Sequence, residues 1–142
     1  MKRSASAKWE GDLKTGKGTV STESGTLQST QYSFSTRFEN GTGTNPEELI
    51  AAAHAGCFTM ALSGQLTGKE KVPTSLETTA TLTMEKLDAG WTATEIALSL
   101  KANVPGITEE EFDTCAKAAK EGCPISRLLD TKITLSYELI NS

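Results

Sequence analysis

The 142-residue chain has the length of one domain, and its 37% of hydrophobic residues suffice for one core but not a rich one. Its formal net charge is -4, with lysines and arginines scattered rather than clustered, which excludes a nucleic-acid footprint. No apolar stretch follows the basic start Met1-Lys2-Arg3 as a signal peptide requires, and no apolar run is read as approaching the roughly 18 residues of a membrane span. The expectation is a cytosolic protein, one domain over residues 1–142, without membrane contact. In a reducing cytosol a stable structural disulfide is not expected, so Cys57, Cys115 and Cys123 are read as buried, metal-bound or redox-active.

The first forty residues read as strands. Ala5, Ala7 and Trp9 alternate with polar residues, and residues 16–22 form a short Thr/Val segment closed by the turn Glu23-Ser24-Gly25. Tyr32, Phe34, Thr36 and Phe38 alternate with Ser33, Ser35 and Arg37, which predicts a third strand with Arg37 at its end. After a loop at residues 40–44 a helix start is clearly punctuated. Asn45 suits the N-cap, Pro46 the first helical position, and Glu47 and Glu48 the positive end of the dipole. The body, from Leu49 to about Leu66, is apolar nearly all round, which predicts a helix covered on several sides.

Beyond a linker at residues 68–73, Leu76, Thr78, Ala80, Leu82 and Met84 alternate with Glu77, Thr79, Thr81, Thr83 and Glu85. Asp88-Ala89-Gly90 turns that strand into a return strand with Ile96, Leu98, Leu100 and Ala102 on one face. Thr108, with Glu111 three residues on, marks the next helix start, and Phe112, Cys115, Ala116 and Ala119 form its apolar stripe. Cys123-Pro124 opens a short helical turn with Ile125, Leu128 and Leu129 expected inside. A last strand carries Ile133, Leu135, Tyr137 and Leu139. The order predicts an α+β fold with segregated antiparallel strands.

The chemistry-bearing residues each have two readings. Cys57 fits a small core hydrophobe or a reactive thiol. Cys123 fits a buried cap-adjacent residue or a thiolate favoured by the following helical turn. Cys115, in phase with Phe112 and Ala119, reads as core packing. Arg37 fits a solvated strand face or a fixed cation beside a thiolate. Glu47 fits a first-turn carboxylate or the partner of Arg37 in a bidentate pair. His54, the one histidine, lies three residues before Cys57. No compact zinc spacing or protease signature accompanies it, so it reads as a helix residue with a local hydrogen bond. No metal or organic cofactor motif is visible, and none is expected.

The motifs together resemble the OsmC/Ohr family. Ala7-Lys8-Trp9-Glu10-Gly11-Asp12, residues 16–22 and Thr36-Arg37-Phe38-Glu39 resemble the opening of its OsmC branch. Residues 43–58, from Gly43-Thr44-Asn45-Pro46-Glu47-Glu48 to Ala55-Gly56-Cys57-Phe58, are similar to the family's central helix. Gly122-Cys123-Pro124-Ile125-Ser126 is similar to its second cysteine motif. The resemblance implies a thiol peroxidase that reduces organic hydroperoxides, with Cys57 peroxidatic, Cys123 resolving, and Arg37 and Glu47 completing the site. It also implies an interlocked homodimer with antiparallel sheets wrapped around two long buried helices, sites at the subunit interface, and a dithiol reductant of the dihydrolipoyl type.

Arg37 matters in that reading because an ordinary thiol, with pKa about 8.5, is only about 3% thiolate at pH 7. Lowering the pKa to about 6 makes it roughly 90% thiolate. Burial in an apolar helix works the other way. The same reactive cysteines also fit a thiol redox sensor that turns over little, and catalytic turnover separates the two.

Overall fold

Period-two alternation at Ala5, Ala7 and Trp9 gives strand β1 (Ala5–Glu10) in the computed structural model, which describes residues 1–142. β2 (Lys17–Thr22) pairs antiparallel with it and with β3 (Thr30–Tyr32). Gly18 faces Trp9 across one pairing and Tyr32 across the other. A Cβ there would lie 2.5 Å from a Trp9 ring carbon and 2.6 Å from one of Tyr32, so glycine lets the two rings approach to 5.6 Å.

The third strand is shorter than its alternation predicts. Phe34–Phe38 is a helical turn, α1, not a strand. Ser33 accepts the Thr36 N–H and Thr36 donates its hydroxyl to the Ser33 carbonyl while accepting the Ser33 N–H, a capping box that starts a helix at Phe34. The alternation of Phe34, Thr36 and Phe38 with Ser33, Ser35 and Arg37 imitates strand periodicity, but the local hydrogen bonds decide the backbone.

α2 (Pro46–Gly68) begins as the punctuation predicts, with the Glu48 N–H donating to the Asn45 side-chain oxygen at 2.7 Å. Two compact units divide the chain at residues 49 and 50, so the first turn of α2 belongs to the first unit and its body to the second.

In the second unit β4 (Ser75–Leu87) and β5 (Gly90–Asn103) form a long antiparallel hairpin, closed by Asp88-Ala89. Gly90 has φ +121°, a conformation that favours glycine. α3 (Glu109–Gly122) is capped by Thr108, whose hydroxyl accepts the Glu111 N–H. α4 (Pro124–Leu128) and β6 (Lys132–Ile140) follow. β6 joins β5 in parallel, so the expectation of purely antiparallel strands is corrected here. The helices between the two strands carry the chain back to the end where β5 began, which is what parallel pairing needs.

β5 is the central strand, and its Ile96, Leu98, Leu100 and Ala102 are buried. They pack with Phe58, Leu62 and Leu66 of α2 and with Phe112, Cys115, Ala116 and Ala119 of α3, the stripe the sequence predicts. Each large aliphatic or aromatic side chain so buried contributes roughly 1.5–3 kcal/mol. Leu128 departs from expectation. It is 74% exposed, because α4 is a single turn that directs Ile125 and Leu129 to the core instead.

α2 also departs from expectation. In the single chain it buries one stripe, His54, Phe58, Leu62 and Leu66, rather than most of its surface. Met60 on another face is 79% exposed. The helix reaches a mean hydropathy of 1.3 over 18 residues, long and apolar enough to cross a bilayer by length and composition alone. The expectation of no such run is therefore corrected. Polar interruptions at Ser63, Gly64 and Gln65 disguise the run without lowering its average below that level.

Candidate active site

In the first unit, the last turn of α1 holds Arg37 and the first turn of α2 holds Glu47. Arg37 Nε donates to Glu47 Oε1 at 2.9 Å and Nη2 donates to the same oxygen at 2.5 Å. Side-chain exposures of 36% and 17% make this a half-buried ion pair, stronger than one in open water. Asn45, besides capping α2, donates its amide to the Thr36 carbonyl at 3.1 Å, which ties the end of α1 to the start of α2. Arg37 also stacks against Phe38, its guanidinium carbon 5.1 Å from the ring centre. The guanidinium is thus oriented by a carboxylate and a ring.

In the second unit, Cys57 sits mid-helix on α2, half-buried, and Cys123 caps the start of α4, fully buried. Both are free thiols, and their sulfurs are 2.7 Å apart. Disulfide formation requires closure only to about 2.05 Å. The four residues therefore form two pairs, one in each unit.

The thiols are electrostatically unequal. Burial pushes the Cys57 thiol up, and the hydrogen bond with Cys123 adds to this against the Ile125 N–H, which pulls down. Burial also pushes Cys123 up. The hydrogen bond with Cys57, the N–H and hydroxyl of Ser126 and the N–H of Ile125 together outweigh that, so Cys123 falls below the ordinary thiol range. The pair shares its proton unevenly, with the charge favoured on Cys123.

Cys115 is 1% exposed within the core and belongs to neither pair, and burial raises its thiol. His54 is not the locally bonded helix residue expected. Its Nε2 lies 2.7 Å from the hydroxyl of Ser126, 72 residues away. A signal for this existed, because His54 falls in phase with Phe58, Leu62 and Leu66, the stripe that must be buried. Ser126 itself was not singled out by the sequence beyond its place in the second cysteine motif.

The family model for OsmC-like proteins matches residues 39–138. The chain is 56% identical over 133 residues to "Peroxiredoxin OsmC" of Escherichia coli K12, covering 94% of this chain and 93% of that protein. It is 29% identical over 125 residues to "Organic hydroperoxide resistance protein OhrB" of Bacillus subtilis, covering 86% and 88%. Among solved structures, an OsmC-like protein of unknown function from Vibrio cholerae superposes with a TM-score of 0.79 at 16% identity, covering 97% of this chain and 99% of that one. This last likeness is one of fold, and it agrees with the α+β architecture described above.

Proposed function

From the premise that this chain belongs to the OsmC family, we propose that it is a cysteine-based thiol peroxidase that reduces organic hydroperoxides to alcohols. The single observation that carries this reading is the approach of two free thiols, Cys57 and Cys123, to 2.7 Å. The names of the E. coli and B. subtilis relatives support the substrate class. The reading takes residues 1–142 as one OsmC-like domain working in the cytoplasm.

The Cys57 thiolate attacks the distal oxygen of the hydroperoxide. The O–O bond breaks, the alkoxide takes up a proton and leaves as the alcohol, and Cys57 becomes a sulfenic acid. Cys123 then attacks the Cys57 sulfur, the S–S bond forms and the hydroxyl leaves as water. A dithiol, of the dihydrolipoyl type in this reading, reopens the disulfide by exchange. Because burial disfavours the Cys57 thiolate, a fixed cation is needed to draw charge to the reacting sulfur, and Arg37 is assigned that role. Glu47 accepts from Nε and Nη2. The Nη1 hydrogens are assigned to the peroxide oxygens.

The same reading makes the protein a homodimer. The support is α2, an 18-residue apolar window of which only 22% is buried within the single chain. A second copy covers this surface in the proposed assembly.

The test is consumption of cumene hydroperoxide with excess dihydrolipoamide by wild type, Cys57→Ser and Cys123→Ser. Multiple turnovers by wild type, none by the Cys57 variant and at most one oxidation by the Cys123 variant are expected. A disulfide that forms in wild type without turnover would replace the enzyme by a redox sensor.

A further inference from the structure

Asn45 divides its one amide between two helices of the first unit, and capping accounts for only half of that. Its Oδ1 accepts the Glu48 N–H at 2.7 Å, one of the free donors at the start of α2. Its Nδ2 donates to the Thr36 carbonyl at 3.1 Å, in the last turn of α1. The preceding carbonyl, that of Ser35, is already taken by the N–H groups of Glu39 and Gly41, so Thr36 offers the next acceptor at that end. The loop that carries Asn45 is itself fixed. Thr44, 8% exposed, donates its N–H to the Gln31 carbonyl at 2.9 Å and its hydroxyl to Glu48 Oε2 at 2.8 Å. Gly43 has φ +133°, and a Cβ there would lie 2.5 Å from the same Gln31 oxygen, so glycine lets the loop sit close against β3.

Arg37 directly follows Thr36, and Glu47 lies two residues beyond Asn45. The amide bridge therefore spans the same two backbones across which the guanidinium meets its carboxylate. The long stems of Arg37 and Glu47 can meet over a range of helix separations, whereas the short amide of Asn45 reaches both partners at one. We infer that Asn45 is a positioning residue for Arg37. By bridging the Thr36 carbonyl and the Glu48 N–H it sets the spacing of α1 and α2 at which Glu47 holds Nε and Nη2, and so aims the remaining guanidinium hydrogens. The inference deepens the peroxidase reading and rests on it only for the role of Arg37 towards peroxide. In that step the Cys57 sulfur is oxidised, the O–O bond is reduced and a proton goes to the leaving alkoxide. Asn45 keeps its hydrogens and acts through Arg37 alone.

Capping and bridging use different atoms of Asn45, which separates the two roles. Serine and aspartate cap helices about as well as asparagine does. The serine hydroxyl stops one bond short of the bridge, and an ionised carboxylate only accepts. Asn45→Ser and Asn45→Asp therefore keep the start of α2 and lose the tie to α1. Aspartate brings a charge that serine lacks, so a loss common to both variants identifies the missing donor. A misplacement of about 1 Å can cost about 10²-fold in rate. Glu47 still pairs with Arg37 in these variants, so the loss expected here is about tenfold.

The experiment uses the full chain and two readouts. Heteronuclear NMR without peroxide follows the Arg37 Nε–H, which the wild type donates to Glu47 at 2.9 Å. Rapid-mixing oxidation with cumene hydroperoxide gives the second-order rate of Cys57 oxidation, in the wild-type and Arg37→Ala backgrounds. Both Asn45 variants are expected to speed solvent exchange of that Nε–H and to slow Cys57 oxidation, each about tenfold, with thermal midpoints unchanged. In the Arg37→Ala background the same substitutions change the rate less than about twofold, because the group they aim is gone. An Nε–H unchanged in both variants, or an equal loss of rate in the two backgrounds, overturns the inference. So does a loss confined to Asn45→Asp, which is an effect of its charge. A wild type that does not react with peroxide, with the Nε–H changes intact, sinks the peroxidase reading and leaves the bridge to Arg37 standing.

Discussion

Cys57 and Cys123, 66 residues apart in sequence, meet sulfur to sulfur at 2.7 Å, one from the middle of α2 and the other from the start of α4. Because so little closure remains, peroxide treatment is expected to link them without remodelling the fold. Non-reducing peptide mapping should find the Cys57–Cys123 link, and the far-UV circular dichroism should be superimposable before and after. A large spectral change on oxidation would contradict this.

Arg37 and Glu47 are expected to matter unequally. Arg37→Ala removes the cation and its donors and should lower kcat/KM for cumene hydroperoxide about 10²-fold. Glu47→Gln keeps an acceptor for Nε and should cost about tenfold, through orientation. Arg37→Lys should recover little, since an ammonium cannot bridge Glu47 through two nitrogens as the guanidinium does.

His54 gives stability a defined pH dependence. Burial lowers its pKa from 6.5, so below that value the unfolded chain takes up a proton that the folded chain refuses. Stability attributable to His54 is therefore present above about pH 6.5 and is lost as pH falls through the lower folded value. Urea midpoints at pH 7.5 and 5.5 should fall further for wild type than for His54→Gln. The assignment is clean because the chain has one histidine.

Cys115 is expected to be inert. Burial raises its thiol, with Glu111 adding to the effect and Lys69 opposing it. Native protein should resist alkylation at Cys115 while Cys123 reacts. Cys115→Ala should keep full turnover at a loss of about 1 kcal/mol of stability.

The exposed face of α2 predicts association. Met60→Arg puts a charge where the proposed partner helix lies and should convert a dimer to a monomer of 15.1 kDa by light scattering. Wild-type protein that already runs at the protomer mass would refute the dimer.

Legibility followed the range of the interaction. The start of α2 could be read from Asn45, Pro46 and Glu47 because capping is settled within one turn. The stripe on α3 and the buried face of β5 followed from period alone. The turn at Phe34–Phe38 was misread because its capping box uses Thr36 where the familiar signature has an acid or amide. The direction of β6 depends on the path of the intervening helices, which no local pattern encodes. The meeting of Cys57 with Cys123 came from resemblance, not spacing. The partner of His54 lay beyond both, although a histidine in phase with Phe58, Leu62 and Leu66 announces a buried polar group in need of one.

The parallel seat of β6 has a consequence for the order in which the chain assembles. β4 and β5 are joined by two residues and zip together as a local event, on the microsecond scale of hairpins. β6 reaches β5 only across residues 104–131, so its docking carries the larger loop-closure entropy and comes late. Cys123 lies within that crossover. Its meeting with Cys57, 66 residues away, is likewise a long-range closure and no part of the local hairpin.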